Sequence, residues 1–351
     1  MNERLRKLLY LVGERGSSDL HIMPGRFPTL RIDGELVPLT QEGVLIAKET
    51  ELMALSLLSE EQRTRLEQSR DLDFSFTLDD KLRFRANVYL QHSGWAGAFR
   101  LIPTEIKSVE ELNLPPILHE FIKKRQGLIL ITGPAGSGKS TSLAALIDEI
   151  NHNRAAHIIT IEEPIEYLFF PDKAIISQRE VLASTPSWHQ ALRSALRQDP
   201  DVIMIGELRD PESIGIALTA AETGHLVLGT LHTNSAAQTI DRILDVLPEG
   251  QKNQARFQLA ATLIGVTSQR LIPRVKGGRV PAFEVLIANQ AVRNLIREGK
   301  IYQIDLVIET SLEQGMIPLE RSLATLVQLG EINEETATSF AQNVDRFKTL
   351  L

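Results

Sequence analysis

The chain has 351 residues, a hydrophobic fraction of 43% and a formal net charge of −7. This length suggests about two domains with substantial cores, and the acidic charge balance gives no support to a nucleic-acid-binding surface. The absence of cysteine excludes disulfides, iron–sulfur clusters and Cys-ligated zinc, and no stretch approaches the roughly 20 apolar residues of a membrane span, so we expect a cytoplasmic protein.

Residues 1–102 predict an N-terminal domain of mixed helices and strands. Apolar residues at helical spacing near the start predict an opening helix, with one face formed by Leu5, Leu8, Leu9 and Val12. Residues 30–36 read as strand, Asp-Gly turn and strand. Ser59 and Gln62 form a capping box that opens a charged helix. Alternating residues predict a hairpin over 73–90 and a further strand over 95–102.

Three arginines lie on the last two predicted strands of this domain. Alternation places Arg83 and Arg85 on one face of a strand, and Arg100 follows on the next strand. Such a row is often a solvated surface, and a phosphate contact is the alternative because a guanidinium suits phosphate geometry.

The pattern changes after residue 102. Residues 103–116 are charged and bounded by prolines, which predicts a linker. In residues 117–351, short apolar runs alternate with segments of helical periodicity. This order predicts a parallel sheet covered by helices. We predict its strands at 128–132, 157–161, 202–205, 225–230, 266–272 and 280–287.

A phosphate-binding loop follows the first of these strands. The pattern G-x-x-x-x-G-K-S lies between a β-branched run and a helix, which is the context that this motif requires. Its glycines allow backbone N–H groups to face phosphate oxygens. We expect Lys139 to reach the β- and γ-phosphates of ATP and Ser140 to bind Mg²⁺. A turn without chemical meaning is the alternative. The predicted nucleotide contacts are Gly133, Pro134, Ala135, Gly136, Ser137, Gly138, Lys139, Ser140 and Thr141.

Carboxylates follow two later strands. Glu163 and Glu166 come after strand 157–161, and Glu207 follows strand 202–205. Ligands of open α/β sheets lie beyond the carboxyl ends of the strands, so these acids are expected to orient an attacking water. Glu207 is also expected at Mg²⁺, directly or through water. Solvated loops are the alternative. Arg209 is expected to serve either structure or nucleotide.

Two histidines flank strand 225–230. His232 lies in a Thr-x-His-Thr-Asn cluster at the nucleotide edge, which favours a γ-phosphate sensor over a core residue. His225 begins the strand at the other end and is the weaker catalytic candidate. A metal site on this pair is disfavoured because no third ligand accompanies it.

The motifs together resemble the secretion ATPase superfamily and, within it, the type IV pilus retraction ATPases of the PilT group. The resemblance covers nearly the whole chain and rests on SSDLHIMPG, RIDGEL, RFRANVY, GPAGSGKSTSLAALID, ITIEEPIEY, DVIMIGELRDPESI and AAETGHLVLGTLHTNSA. It implies an N-terminal PAS-like α+β domain followed by a RecA-like P-loop ATPase domain, assembled as a homohexameric ring. It also implies ATP and Mg²⁺ as ligands, and arginines that act on the nucleotide of a neighbouring subunit.

Two features of the resemblance select the retraction branch. Assembly and type II secretion members usually carry a tetracysteine module, which this chain lacks. Residues 291–298 (AVRNLIRE) are similar to the C-terminal retraction motif AIRNLIRE, and we expect the polar face of this helix to transmit force. The chain departs from the family in two places. Glu163 stands where an Asp is usual, whereas Glu166 keeps the catalytic glutamate, and residues 92–95 lack an arginine often found there.

The resulting expectation is an ATP-hydrolysing motor that powers pilus disassembly and twitching motility. Its expected partners are its own copies, an inner-membrane platform protein and a paralogous pilus ATPase, with no nucleic acid. We expect a peripheral location at the inner face of the inner membrane. The alternatives are an accessory retraction ATPase, an assembly or type II secretion ATPase, or a nucleic-acid translocase on the same fold.

Overall fold

The computed structural model describes residues 1–32, 34–79, 82–102 and 105–351. These residues pack as two compact units, one of 1–105 with 164–168 and one of 106–163 with 169–351. The boundary between the units falls within the predicted linker at 103–116. Pro103 and Thr104 lie outside the described residues, whereas Val109 and Leu114 are buried.

The first unit is an antiparallel sheet with three helices. Its six strands lie in the order β3-β2-β1-β6-β5-β4. Its elements are α1 (Glu3–Glu14), β1 (Asp19–Ile22), β2 (Thr29–Ile32), β3 (Glu35–Pro38), a 3-10 turn at Thr40–Glu42, α2 (Ala47–Leu55), α3 (Glu60–Ser69), β4 (Asp71–Leu78), β5 (Leu82–Gln91) and β6 (Gly94–Ile102).

The periodic patterns of the first unit explain its core. The four apolar residues predicted on one face of α1 are all buried. Phe84, Ala86 and Val88 of β5 point to the same core, as the alternation predicts. Ser59 caps α3 by accepting from the backbone N–H of Gln62. Asp33 of the predicted Asp-Gly turn, and Asp80 and Lys81 within the predicted hairpin, lie outside the described residues.

The second unit is a seven-stranded sheet between helices. Its strands lie in the order β13-β12-β7-β11-β10-β8-β9, and β13 alone is antiparallel to its neighbour among the strands described. Its elements are α4 (Ile117–Ile122), β7 (Gly127–Thr132), α5 (Lys139–Asn153), β8 (His157–Glu162), β9 (Ile175–Glu180), α6 (Trp188–Ala195), β10 (Val202–Ile205), α7 (Pro211–Glu222), β11 (Leu226–Leu231), α8 (Ala236–Asp245), α9 (Glu249–Thr262), β12 (Leu263–Pro273), β13 (Arg279–Ile287), α10 (Gln290–Glu298), a 3-10 turn at Ile301–Gln303, α11 (Ile304–Thr310), a 3-10 turn at Leu312–Gln314, α12 (Leu319–Gln328), α13 (Glu334–Phe340) and α14 (Val344–Leu350).

All six strands predicted for this unit are present. The structure adds β9, which pairs in parallel with β8 at the edge of the sheet. The sequence did not predict it because four of the six residues of Ile175–Glu180 are polar and most are not buried. Neither a continuous apolar run nor an alternation marks this segment.

The last helices form a smaller core against the outer strands. Residues of α12 and α14 pack on the far ends of β12 and β13, with Leu323 and Phe347 fully buried. Among the described residues, no helix is long and apolar enough to cross a membrane.

Candidate active site

Most residues of the second unit that were predicted to bind or act on a nucleotide lie at one edge of its sheet. The register pairs Thr132 at the end of β7 with Leu231 at the end of β11, and Ile205 at the end of β10 pairs with Gly229 and Ile161. Because these four strands are parallel, their carboxyl ends share that edge. The loops that follow carry the P-loop, His232, Glu207 and Glu163.

The P-loop backbone depends on its glycines. Gly133, Gly136 and Gly138 have φ angles of 141°, 74° and 88°, a region that L side chains rarely adopt. A Cβ at Gly133 would lie 2.2 Å from the carbonyl oxygen of Gln269. The loop ends where α5 begins at Lys139, so the helix N-terminus adds partial positive charge beside it.

Gln269 of β12 holds this loop, and the sequence prediction missed it. Its Nε2 donates to the carbonyl of Ser137 at 2.6 Å, and its Oε1 accepts from Ser142 Oγ at 2.8 Å. The side chain is buried, and both its nitrogen and its oxygen have a hydrogen-bond partner. The available signal was a glutamine inside the apolar run 266–272, where a buried polar group needs partners.

A chain of polar contacts connects the three main candidates. Lys139, 8% exposed, donates its Nζ to the carbonyls of Gly133 at 2.9 Å and Pro134 at 3.0 Å. The same Nζ lies 3.4 Å from His232 Nδ1, and His232 Nε2 lies 3.4 Å from Glu207 Oε2. The structure thus brings together a cation, an imidazole and a carboxylate from three different loops.

Glu207 stays ionised in this environment. Its Oε2 also forms an ion pair with the guanidinium of Arg209, at 2.8 Å. Burial tends to raise the pKa of Glu207, but the guanidinium of Arg209 and the ring of His232 outweigh burial and hold that pKa below its ordinary value of 4.5. Arg209, left open by the sequence, is therefore an ion-pair partner of Glu207 in this structure.

The glutamates after β8 have different surroundings. Glu163 is exposed and accepts from Trp188 Nε1 at 2.7 Å. Glu162 is buried, where its Oε1 accepts from Thr160 Oγ1 at 2.6 Å and from Gln178 Nε2 at 3.2 Å. The local hydrogen bonds of Glu162 give it a structural role, whereas Glu163 presents its carboxylate to solvent.

Glu166 belongs to the segment 164–168, which packs with the first unit. One candidate of the second unit, His225, lies away from this edge. His225 lies before the opposite end of β11, where its ring nitrogen Nδ1 is 2.9 Å from the carbonyl of Ala220 and its own carbonyl accepts from Gly127 N. A strand of six residues is about 20 Å long. In this structure His225 thus makes local contacts at the opposite end of β11.

The three predicted arginines share one face of the first unit's sheet. Arg85 of β5 and Arg100 of β6 are direct cross-strand partners, and Arg83 lies two residues from Arg85 on the same face. The guanidinium of Arg100 pairs with Asp19 at 2.8 Å. Arg85 is exposed.

The residues at the edge fit a nucleotide with Mg²⁺. Ser137 Oγ is buried without a hydrogen-bond partner among the described residues, and Ser140 is exposed in the first turn of α5. The described residues contain no cluster of three His, Asp or Glu side chains that would hold a metal by themselves. This donor set suits Mg²⁺, which usually takes one or two protein oxygens together with substrate phosphates and water.

Comparison with known proteins identifies the family. Residues 2–279 match the family model described as type II/IV secretion system protein. The chain belongs to this family. It is 48% identical to a twitching motility protein of Neisseria gonorrhoeae over 90% of this chain and 84% of that protein. It is 43% identical to the type IV pilus retraction ATPase PilT of Pseudomonas aeruginosa over 98% of this chain and 99% of that protein.

A solved structure supports the same assignment. The crystal structure of the pilus retraction motor PilT with bound ADP is similar with a TM-score of 0.92, at 45% identity, over 98% of both chains. The predicted α/β fold is thereby confirmed. Within the type II/IV secretion family, the chain is a PilT-type ATPase.

The helix that resembles the retraction motif is α10 in this PilT-type chain. Val292 and Ile296 are fully buried, as the amphipathic pattern predicts. We expected Arg293 on the accessible polar face of this helix, but its side chain is hydrogen-bonded to the protein backbone. Its guanidinium donates to the carbonyls of Ala260 at 2.6 Å, Ala261 at 2.7 Å and Leu263 at 2.8 Å. Arg293 therefore caps the end of α9, where carbonyls lack helical partners.

Proposed function

We propose that this protein is the ATP-hydrolysing motor that retracts type IV pili and so powers twitching motility. The observation that carries the proposal is the contact chain of Lys139, His232, Glu207 and Arg209 at the P-loop edge of a PilT-type ATPase. Phosphoryl transfer depends on positioning and charge stabilisation, and this cluster offers both.

Each residue of the chain has a role that its surroundings support. The P-loop N–H groups and Lys139 bind the β- and γ-phosphates. Ser140 and Glu207 would hold Mg²⁺, which neutralises charge on the phosphates when bound. His232, between Lys139 and Glu207, contacts the γ-phosphate. Glu163 or Glu166 orients the attacking water, and the solvent-facing carboxylate of Glu163 is available for that task.

The arginine face supports assembly into a homohexameric ring. Arg85 and Arg100 lie directly opposite each other, and like charges in that position are destabilising. Asp19 forms an ion pair with Arg100. Such an arrangement is favourable when the face meets an anion, and the phosphates of a neighbouring subunit's nucleotide supply one. Arg83, Arg85 and Arg100 then act in trans.

Helix α10 is the proposed surface for force transmission. It lies in sequence far from the phosphate-contacting loops, and a cavity of about 760 Å³ beside it is lined by Ile117, Phe121 and Arg293 among others. Asn294, Arg297 and Glu298 leave the polar side of the helix accessible. We assign this side to the inner-membrane platform protein or to the next subunit, which places the motor at the cytoplasmic face of that membrane.

A gene deletion tests this function. The proposal expects excess surface pili and no twitching motility. Normal pilus number with normal motility would contradict it, and loss of pili would favour an assembly ATPase. ATPase activity that rises with added nucleic acid would favour the translocase alternative.

A further inference from the structure

The loop that carries His232 is held by residues from three separate elements. This 232–235 loop joins β11 to α8. The carbonyl of Asn234 accepts from Gln342 Nε2 at 2.9 Å and from an Arg270 guanidinium nitrogen at 3.4 Å. The backbone N–H of Ala236, the first residue of α8, donates to Glu284 Oε1 at 2.6 Å. No predicted nucleotide residue is among these three side chains.

Arg270 connects this loop to the C-terminal helices. It follows Gln269 on β12, and alternation along a strand sends the two side chains to opposite faces. Gln269 contacts the P-loop, whereas Arg270 also donates to the carbonyl of Phe340 at the end of α13. One strand therefore places a side chain against each of two loops that surround the nucleotide.

The partner segment on the C-terminal side is itself fixed. Glu320 of α12 is buried, and its Oε1 accepts from the backbone N–H groups of Gln342 and Asn343, both at 3.0 Å. Gln342 is thus held at its backbone while its exposed side chain reaches Asn234. A donor fixed in this way loses less conformational entropy when it makes its bond.

We infer that Arg270, Gln342 and Glu284 are positioning residues that set His232 against the γ-phosphate, so that helices α12–α14 govern the rate of hydrolysis. This inference rests on the proposed role of His232. Within the loop and its helix, Ser235 caps α8, Thr233 bonds Thr239, and the backbone N–H of Asn234 donates to Gln238 Oε1. These contacts are independent of the C-terminal helices, whereas the carbonyl of Asn234 accepts from Gln342 and Arg270.

The test compares purified Gln342→Ala with Gln328→Ala. Gln328 is a matched control because its Nε2 donates to the carbonyl of Leu350 at 3.2 Å, within the same helices and away from the loop. Losing one positioning hydrogen bond is expected to lower kcat about fivefold, with KM for ATP unchanged. Gln328→Ala should match the parent protein.

Further variants separate this inference from the proposed function. Arg270→Lys keeps the positive charge but cannot serve two carbonyls with a planar fork, so it should repeat the Gln342→Ala result. In a His232→Ala background, Gln342→Ala should cause no further loss. Normal kcat in both Gln342→Ala and Arg270→Lys, with a slow His232→Ala protein, would overturn this inference alone. Fully additive losses of kcat in the double variant would also overturn this inference. A His232→Ala protein with normal kcat would overturn the role of His232 as well.

Discussion

Glu284 should make the stability of the second unit depend on pH. The side chain is 6% exposed in β13, and burial raises the pKa of Glu284 from 4.5 to about 7. The neighbouring acids Asp305 and Glu320 act in the same direction, whereas the Ala236 N–H and Arg270 oppose it. The folded protein therefore holds this proton more tightly than the unfolded chain does.

The sign and size of the effect follow from proton linkage. Between about pH 4.5 and pH 7 the unfolded chain has released the proton while the folded unit keeps it, so the free energy of unfolding falls as pH rises. At about 1.4 kcal/mol for each tenfold difference in proton affinity, the loss across this window is about 3 kcal/mol. Glu284→Gln has no carboxyl to ionise and should lack this decrease.

Urea unfolding at about pH 5 and about pH 8 measures the difference. The chain has two tryptophans, so a Trp95→Phe background leaves Trp188 as the fluorescence reporter of the second unit. Glu313→Gln is the control, because Glu313 is exposed, and it should follow the parent protein. Equal decreases in the parent protein and in Glu284→Gln would refute the reasoning.

Four further substitutions test the site and the coupling surface. Lys139→Ala should lower ATP turnover about 100-fold or more while circular dichroism stays unchanged; normal turnover in that folded protein would remove the nucleotide-site assignment. Arg85→Ala subunits mixed with Lys139→Ala subunits should recover ATPase activity if Arg85 acts in trans, and an absence of recovery argues against it. Arg297→Ala should keep ATPase activity and abolish pilus retraction in cells, whereas Arg293→Ala should lower Tm because three carbonyls lose their donor. If folded Arg297→Ala lost ATPase activity too, α10 would belong to the catalytic machinery.

Local patterns were sufficient to predict much of this structure. The P-loop strand, turn and helix are contiguous, and β-branched runs mark the buried parallel strands, so residues 127–153 could be read directly. The common edge for His232 and Glu207 followed from the rule that parallel strands share their carboxyl ends. The family motifs then supplied roles that spacing alone left open.

Contacts between distant parts of the chain could not be predicted in this way. Gln269 and Ser137 are 132 residues apart, and Gln342 and Asn234 are 108 apart. No periodicity indicates such pairs. Arg293 was expected on a free polar face because helical spacing describes only its own helix, whereas the carbonyls that it caps end another helix. His225 was separated from the site by the length of β11.

Retraction of labelled pili in cells that carry Glu207→Gln as their sole copy tests the central claim most directly. This substitution keeps the shape of the side chain and removes the charge that Arg209 and His232 stabilise. The purified variant should bind nucleotide and lose most hydrolysis. In cells, pili should extend and then fail to retract. Retraction at the parental speed, with the variant confirmed to be inactive as an ATPase, would contradict the account.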